Sequence, residues 1–461
     1  MSKLTRLVPL ALTTFLAGCA VGPNYVAPTP AAVTRFSAST AAPVTTSPPP
    51  TQWWSHFHDP VLNQLVTDAL ARNHELRLAH ARLAEARALR RGSLWDFAPT
   101  GSADAMVQRG RPSETETRTV TPPVSETWSA GFDASWELDL FGRTRRRTEV
   151  ATAEVGATAA MLRDVQVAVI AEVAASYFAL RGSEGSFMLV REQLVLLRES
   201  HALTELRVAA GRGTPLDTAR TESLLRETEA LLPLLERDSH TQRHRLAVLL
   251  GRTPGDLDLA PASLTSAPTD AVAIGSPADL LRRRPDVQHA ERTLAAATSH
   301  IGVSTAALFP AVSLNGVFRF VGLSSSDLGD AGTRSWAVAP TLQWHVLDYG
   351  RLRAQLTASR ARADGALAHY EATVLRALED TENALARYRA ALARGDSLDA
   401  RRAAADRART LALRQYEAGA TDPLARLDAE RTALAAGRDA LSAHTERHLA
   451  LVALYKALGG T

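Results

Sequence analysis

Two pairs of histidines, each four residues apart, are the residues of this chain whose types and spacing suit a metal ion. His240 and His244, and likewise His444 and His448, would share one face of a helix. Zinc proteases need a glutamate directly after the first histidine, whereas Glu446 falls midway in HTERH. Scattered surface histidines explain both pairs better. We find no nucleophile–base set, phosphate loop or metal cluster, so the sequence predicts no enzyme, no cofactor and no metal.

The only cysteine, Cys19, stands at the end of a signal-like N-terminus. Leu7–Ala17 is an apolar run behind two basic residues and is too short to span a bilayer. The following LAGC resembles a bacterial lipobox, in which the cysteine thiol receives the lipid. Ala20, in place of aspartate, favours outer-membrane sorting by the same resemblance. We therefore expect a signal peptide at 1–18 and lipidation at Cys19; an ordinary signal peptide with a chance cysteine is the alternative.

Composition excludes several classes of protein. The chain has 461 residues, of which 46% are hydrophobic, so it is not disordered. A net charge of +3 argues against a nucleic-acid partner. The basic run Arg282–Arg284 is followed by Pro285 and Asp286, and a helix start with proline at its first position explains this run better than anion binding.

The chain is built twice. The stretch WELDLFGR at 136–143 recurs as WHVLDYGR at 344–351, an offset of 208 residues, and the turn at 210–216 recurs at 418–424 with the same offset. Upstream of residue 99 the offset is 211. We therefore expect repeat 1 at 53–260 and repeat 2 at 261–461, with a lipidated Pro/Ala/Thr-rich tether at 19–52 before them.

Each copy contains one strand-like region. Apolar and other residues alternate without a break from Trp128 to Asp139, which is the period of a strand. Similar alternation predicts one membrane hairpin at about 101–139 and another at about 311–348. A soluble sandwich would show the same alternation, but four strands in two distant hairpins are few for a sandwich core.

Tryptophan spacing favours the membrane. Trp128 and Trp136 are eight residues apart on one face, as are Trp336 and Trp344. At about 3.3 Å per residue, each pair spans roughly 26 Å. Tilted strands then place the rings near the edges of an apolar band about 25 Å tall, as an aromatic girdle requires.

The remaining sequence is helical. We expect long helices at 143–210 and 351–418, each about 100 Å at 1.5 Å per residue. Return helices are expected at 215–251 and 423–459, and short helices at 62–97 and 277–308. Thr214, Pro215 and Asp217 are typical of a helix start. Gly211 is a natural helix C-cap. The sequence contains no stretch of 18 or more apolar residues, so it predicts no transmembrane helix.

Four strands per chain cannot close a membrane barrel, since open edges are excluded from lipid and the smallest barrels have about eight strands. The chain must therefore oligomerise. Three chains with two copies each would form a twelve-stranded β-barrel continued by a tube of twelve α-helical columns. The expected fold class is mainly α, with a membrane β-barrel and an internal two-fold structural repeat.

At this point the chain resembles the TolC-like outer-membrane efflux proteins, of the lipoprotein branch that serves tripartite RND pumps. The resemblance covers essentially the whole chain. It rests on CAVGPNYVAPTP after the lipobox, WWSHFHDPVLNQLVTDALARNHEL at 53–76, LRRRPDV at 281–287, ALFPAVSLNG at 307–316 and the two WxxxxxGR junctions. It implies a homotrimeric exit duct in outer-membrane lipid, joined by a periplasmic adaptor to an inner-membrane RND transporter, which expels drugs, organic compounds or metals.

The resemblance also implies a periplasmic gate in the second-copy turn. In this family a tyrosine before the glycine and an aspartate after it help to close the lumen, which corresponds to Tyr416 and Asp428; Leu424 would add an apolar constriction. This chain has Thr421 and Ala425 where a related sequence has an arginine and an aspartate, and Arg212 is a candidate substitute. An aspartate on the outer wall is the alternative for Asp428. The tips expected to dock the adaptor are Gly211, Gly213, Thr214, Pro215, Gly419, Thr421 and Pro423.

Two other functions fit parts of the pattern. A periplasmic adaptor lipoprotein also carries a helical hairpin but would lack the membrane strands. A duct of a type I protein secretion system would have the same fold, although the lipobox and LRRRPDV favour the RND branch.

Overall fold

The computed structural model describes residues 20–29, 35–37, 43–113, 115, 123–264, 267–268 and 270–460. The expected signal peptide at 1–18, Cys19 and part of the expected tether lie outside these residues. The described part of the chain forms two compact units. The sheet unit comprises the described residues within Met1–Thr29, Arg82–Ala159 and His289–Glu371, and the helix unit comprises those within Pro30–Ala81, Ala160–Gln288 and Ala372–Thr461.

Each copy contributes helices and two long strands. The first copy has α1 (Pro60–Arg72), α2 (His74–Trp95), β2 (Thr100–Gly110), β3 (Ser125–Leu138), α3 (Arg143–Ala209), α4 (Pro215–Glu229) and α5 (Leu232–Leu249), preceded by β1 (Val44–Thr45). The second copy has β4 (Val272–Ala273), α6 (Pro277–Arg283), α7 (Pro285–Ala306), β5 (Ala311–Gly322), β6 (Arg334–Gln343), α8 (Tyr349–Glu417) and α9 (Pro423–Ala457).

The two hairpins join into one antiparallel sheet of order β2-β3-β5-β6. The central pair, β3 and β5, runs in register from Trp128 opposite Gly322 to Leu138 opposite Val312, so it pairs the first copy with the second. Strand β6 ends at Gln343 and is followed by a 3₁₀ turn at Val346–Asp348. The strand therefore ends five residues before the expected end of the hairpin at 348. Strands β2 and β6 form the edges of the sheet.

The short helices expected as single elements at 62–97 and 277–308 are each broken in two. The breaks fall at Asn73 and Arg284, which occupy equivalent positions and both have extended backbone. Pro285 disfavours helical backbone at Arg284. Asn73 Nδ2 donates to the carbonyl of Leu249 at 2.9 Å, and Arg284 Nη1 donates to the equivalent carbonyl of Ala457 at 3.1 Å. Each break therefore satisfies the carbonyl end of a return helix.

The return helix expected at 215–251 is also interrupted, between α4 and α5, at Ala230–Leu231. Pro233 is the cause, because a proline lacks the amide donor and clashes with the carbonyl four residues earlier. The equivalent position in the second copy is Leu441, and there α9 is continuous for 35 residues.

The long helices are continuous. Helix α3 has 67 residues and retains Gly182, where a Cβ would lie 2.4 Å from Thr445 Oγ1 on α9. This glycine therefore permits close helix packing. One 18-residue window of α3 is apolar enough to cross a membrane, but 67% of it is buried inside the chain, as in the core helix of a folded domain.

Two described segments of the expected tether at 19–52 are paired with the rest of the fold. Residues 43–47 lie beside 272–275: β1 pairs in parallel with β4, and Val272 N donates to Pro43 O at 2.9 Å. Near the N-terminus, Val21 N donates to Phe141 O at 3.2 Å. A flexible tether would leave these backbone groups to solvent, whereas here they are paired within the fold.

Candidate channel sites

The sheet has one apolar face that is largely exposed. Side chains directly opposite one another in antiparallel strands share a face, and the register aligns Ala103, Phe132, Phe318 and Trp336 across all four strands. Phe132 is 66% exposed and Trp336 is 72% exposed. Such a contiguous apolar surface on a strand array is typical of a face that meets lipid or a partner.

The opposite face carries an ion cluster that sequence reasoning missed. Arg319 Nη2 on β5 lies 3.2 Å from Asp133 on β3 and 3.5 Å from Asp104 on β2. Gly131 stands directly opposite Arg319, and a Cβ there would come within 2.4 Å of Arg319 Cβ. The period-two alternation placed these charges on the polar face, but only the strand register brings them together.

Two of the four candidate girdle tryptophans make equivalent hydrogen bonds to backbone carbonyls. Trp136 Nε1 donates to Phe97 O at 2.9 Å, and Trp344 Nε1 donates to Leu308 O, an equivalent position, at 3.1 Å. Trp344 lies one residue beyond the end of β6. These two indoles each have a bonded polar end and an exposed ring, as interfacial tryptophans do.

The other two tryptophans are less alike. Trp128 Nε1 donates to Glu126 at 2.8 Å, and its ring is half-buried. In the register, Trp336 stands at the level of Phe132, four residues along β3 from Trp128. In tilted strands, residues at different levels of the register can lie at the same depth along the membrane normal. The expected girdle role of Trp128 and Trp336 therefore depends on the tilt of the strands.

The two helix turns have matching geometry. Gly211 and Gly419 adopt φ of +71° and +69°, a left-handed conformation that suits glycine. The amide of each following residue bonds back to the helix, with Arg212 N to Arg207 O at 2.8 Å and Ala420 N to Gln415 O at 2.8 Å. These bonds close a Schellman motif in both turns.

The helices that leave these turns start differently. In the first, the amide and hydroxyl of Thr214 both donate to Asp217 Oδ2, at 2.9 and 2.8 Å, which lowers the pKa of that carboxyl. In the second, Asp422 is the N-cap and accepts from Leu424 N at 3.0 Å. The tip residues Gly213, Pro215 and Thr421 lie within these turns, as does the backbone of Pro423.

The candidate gate tyrosine is held between two arginines. Tyr416 is 9% exposed. The guanidinium carbon of Arg207, on α3, lies 4.8 Å from its ring centroid, and that of Arg426, on α9, lies 5.0 Å away. Arg426 also bonds Glu430 at 2.8 Å. Sequence reasoning did not single out Arg207, Arg426 or Glu430, because only the folded turns bring both arginines to one ring.

The other candidate gate residues are not joined to Tyr416 by a hydrogen bond or ion pair within the described part of the chain. Asp428 is exposed and makes no such bond to any described residue, and Leu424 is 44% exposed. Arg212, the candidate substitute for the missing arginine, is exposed, and Ala425 is exposed as well. The structure therefore groups Tyr416 with arginines and leaves Asp428 open to solvent.

The histidine pairs have separate environments. His448 is 1% exposed and packs between Phe57 and Phe178, and burial lowers its pKa to about 4. His444 instead faces Asp399, with Nε2 2.9 Å from the carboxylate. Among the described residues no group of three or more metal-ligating side chains exists.

The arginine run is structural: buried Arg284 pairs with Asp286 and with Asp380.

Comparison with known proteins identifies the family. Residues 65–252 and 277–460 both match the family described as outer membrane efflux protein, one match in each copy. The chain belongs to this family. It is 32% identical over 461 residues to outer membrane protein OprJ of Pseudomonas aeruginosa, which covers 98% of this chain and 94% of OprJ.

Solved structures of the outer membrane efflux family have the same fold. The outer-membrane channel OprN superposes with a TM-score of 0.91 at 41% identity, covering 96% of this chain and 99% of OprN. The open state of the MtrE channel of Neisseria gonorrhoeae gives 0.85 at 30% identity, covering 96% and 98%. This chain is therefore a TolC-like outer-membrane channel protein.

Proposed function

We propose that this protein is the passive exit duct of a tripartite RND-type efflux system and expels small molecules from the periplasm to the exterior. The observation that carries the proposal is the four-stranded sheet, with an exposed apolar face and two open edges among the described strands, in a chain of which 96% superposes on an outer-membrane channel. A duct needs no chemistry of its own.

The open edges favour a homotrimer. Strands β2 and β6 each have one sheet neighbour among the described strands, and unpaired backbone groups are costly in lipid. Pairing β6 of one protomer with β2 of the next closes three copies into twelve strands. Phe132, Phe318 and Trp336 would then face lipid, and Arg319, Asp104 and Asp133 would face the lumen.

The periplasmic gate is assigned to the second-copy turn. Tyr416 contacts Arg207 on the first-copy long helix and Arg426 on α9, so one cation–π contact joins the second-copy turn to α3 and a second lies within the second copy. Such contacts contribute about 0.5 to 2 kcal/mol each, which is small enough for a partner to break. Exposed Leu424 and Asp428 are then available to line the closed lumen.

The helix turns are assigned as the docking tips for a periplasmic adaptor, which would link the duct to the inner-membrane RND transporter. In both tips, backbone groups of the turn are hydrogen-bonded to the preceding helix or to the cap side chain. Leu206 at 68% exposed and Leu216 at 55% exposed offer apolar contacts on either side of the first tip. Partner surfaces commonly present such side chains within a polar surround.

The test is loss and restoration of efflux in the source bacterium. Deletion of the gene should raise accumulation of a fluorescent pump substrate, and the wild-type gene should restore export only when the adaptor gene is intact. The purified protein should be a detergent-stable trimer. A monodisperse monomer that retains native strand content would refute the trimeric duct. Restored export of a secreted protein, without restored dye efflux, would instead identify a type I secretion duct.

A further inference from the structure

The chain immediately after Cys19 is packed against the junction where β3 gives way to α3. Gly142, at that junction, has φ of +79°, and a Cβ on it would lie 2.6 Å from both Cα and Cβ of Ala20. The next residue, Val21, bonds Phe141 O through its amide. Ala20 and Val21 are therefore packed against the residues that follow the C-terminal end of β3.

A second close approach holds the chain against α7. Gly22 has φ of +88°, and a Cβ there would lie 2.5 Å from Gly302 Cα. Further along, Tyr25 donates from its hydroxyl to Glu291 Oε1 at 3.1 Å, and burial raises the pKa of this tyrosine. The backbone of the segment therefore lies directly on the backbone of α7, at a place where two glycines leave no side chain between them.

One buried arginine binds the whole segment. Arg146 is 2% exposed. It donates through Nε to Val21 O at 3.2 Å, and through Nη2 to Gly22 O at 3.2 Å and Asn24 Oδ1 at 2.9 Å. Its Nη1 donates to Glu149 at 2.8 Å, which balances the charge. Gly302 makes room for this side chain, since a Cβ there would lie 2.7 Å from Arg146 Cδ.

The second copy does not repeat this arrangement. Gly350 is equivalent to Gly142, yet it lies inside α8, and no described residue beyond its own helix turn comes within 4 Å of an added Cβ. The position equivalent to Arg146 is Ala354. The two WxxxxxGR junctions therefore share a sequence but not a function, and only the first is shaped to receive a peptide.

We propose that Ala20–Asn24 is a docked anchor segment and that Arg146 is the positioning residue that holds it. The role of this segment as an anchor rests on the proposed lipidation of Cys19. A lipid on Cys19 would be attached one residue, about 3.8 Å along the chain, from the docked residue Ala20. The acyl chains would then be held near the junction between β3 and α3, and not at the end of a long flexible linker. Docking itself uses only protein contacts, so it should survive loss of the lipid.

Hydrogen exchange of the full-length protein purified in detergent tests this proposal. Peptides covering residues 20–29 should be protected in the wild type. Arg146→Gln should make their exchange at least about tenfold faster, as expected for loss of several charge-assisted hydrogen bonds. Arg147→Gln is the matched control, because Arg147 is exposed and has no such contact within the described residues; it should leave exchange unchanged. Peptides from β3 report whether each variant is folded.

Two further variants make the outcome decisive. Gly302→Ala should accelerate exchange at 20–29 by displacing Arg146, which tests the site even if Arg146→Gln misfolds. Cys19→Ser behind a cleavable signal should remain protected at 20–29 while losing fatty-acid label. Wild-type exchange at 20–29 as fast as in an unstructured peptide, or equal exchange in wild type and both site variants, would overturn the proposal even if Cys19 is lipidated. Protection without any lipid label would instead refute the lipidation alone.

Discussion

The guanidinium carbon of Arg426 lies 5.0 Å from the ring centroid of Tyr416, and a second arginine lies on the same ring. This relationship predicts how the proposed gate responds to substitution. Tyr416→Leu removes the π face and should increase single-channel conductance in planar bilayers. Tyr416→Phe keeps the π face, so its conductance should stay near that of the wild type. Equal conductance of the leucine variant and wild type, in trimers of equal stability, would exclude this contact from the gate.

Asp428 should control ion selectivity. It is exposed and has no bonding partner among the described residues, so in a trimer three carboxylates would form a ring if they face the lumen. Asp428→Asn should shift the reversal potential in a salt gradient toward weaker cation preference, because it removes three negative charges. Asp238→Asn, whose wild-type carboxylate pairs with neighbouring Arg237, serves as the control and should leave selectivity unchanged. An unshifted Asp428→Asn would place this carboxylate on the outer wall.

Gly131 should be required for assembly of the sheet. A Cβ at this position would meet Arg319 Cβ at 2.4 Å and Phe318 O at 2.5 Å, and the second contact is with backbone that cannot swing aside. Gly131→Ala should therefore lower the fraction of heat-resistant trimer on gels. Gly316→Ala on β5, where no described residue other than its chain neighbours lies within 4 Å of an added Cβ, should leave that fraction unchanged. Identical trimer fractions for the two variants would mean that the strands adjust freely.

His448 should make the helix unit sensitive to acid. Burial depresses its pKa in the folded state to about 4, against 6.5 for the free side chain. The unfolded chain therefore binds the extra proton between these values. Stability is fully present above about pH 6.5 and falls as the pH drops toward 4, by up to about 1.4 kcal/mol per unit.

Thermal unfolding at pH 7.5 and pH 5.0 measures this effect. His448→Phe should reduce the difference in melting temperature between the two pH values. His240→Phe at the equivalent first-copy position, where the wild-type histidine is exposed, should not. An unchanged pH difference in the His448 variant would assign the acid sensitivity to other groups.

Lipidation should be separable from transport. Cys19→Ser should abolish fatty-acid labelling, whereas a replacement cleavable signal should preserve much of the efflux, because the sheet itself would hold the trimer in the membrane. A lipid chain adds about 0.8 kcal/mol per buried CH₂. Complete loss of dye efflux in a correctly exported, unlipidated trimer would show that the lipid is essential.

The repeat, the strands and the long helices could be predicted from the sequence alone. The 208-residue offset, the period-two alternation around Trp128 and Trp136, and the proline-free run from Arg143 are local patterns that fix strands, helices and turns. The family followed from motifs along the whole chain. The helix breaks were not predicted from the sequence: Pro233 accounts for the break between α4 and α5, whereas Asn73 interrupts a helix because its side chain caps another one.

Contacts between side chains of different elements became visible in the folded structure alone. The ring of Tyr416 and the guanidinium groups of Arg207 and Arg426 lie on three helices, and no spacing rule links them. The same holds for Arg146, which reaches residues 122 to 125 positions away. Periodicity records which face a residue occupies on its own element. The approach of one backbone to another depends on packing between elements, and the two junctions that share the WxxxxxGR pattern therefore differ in geometry.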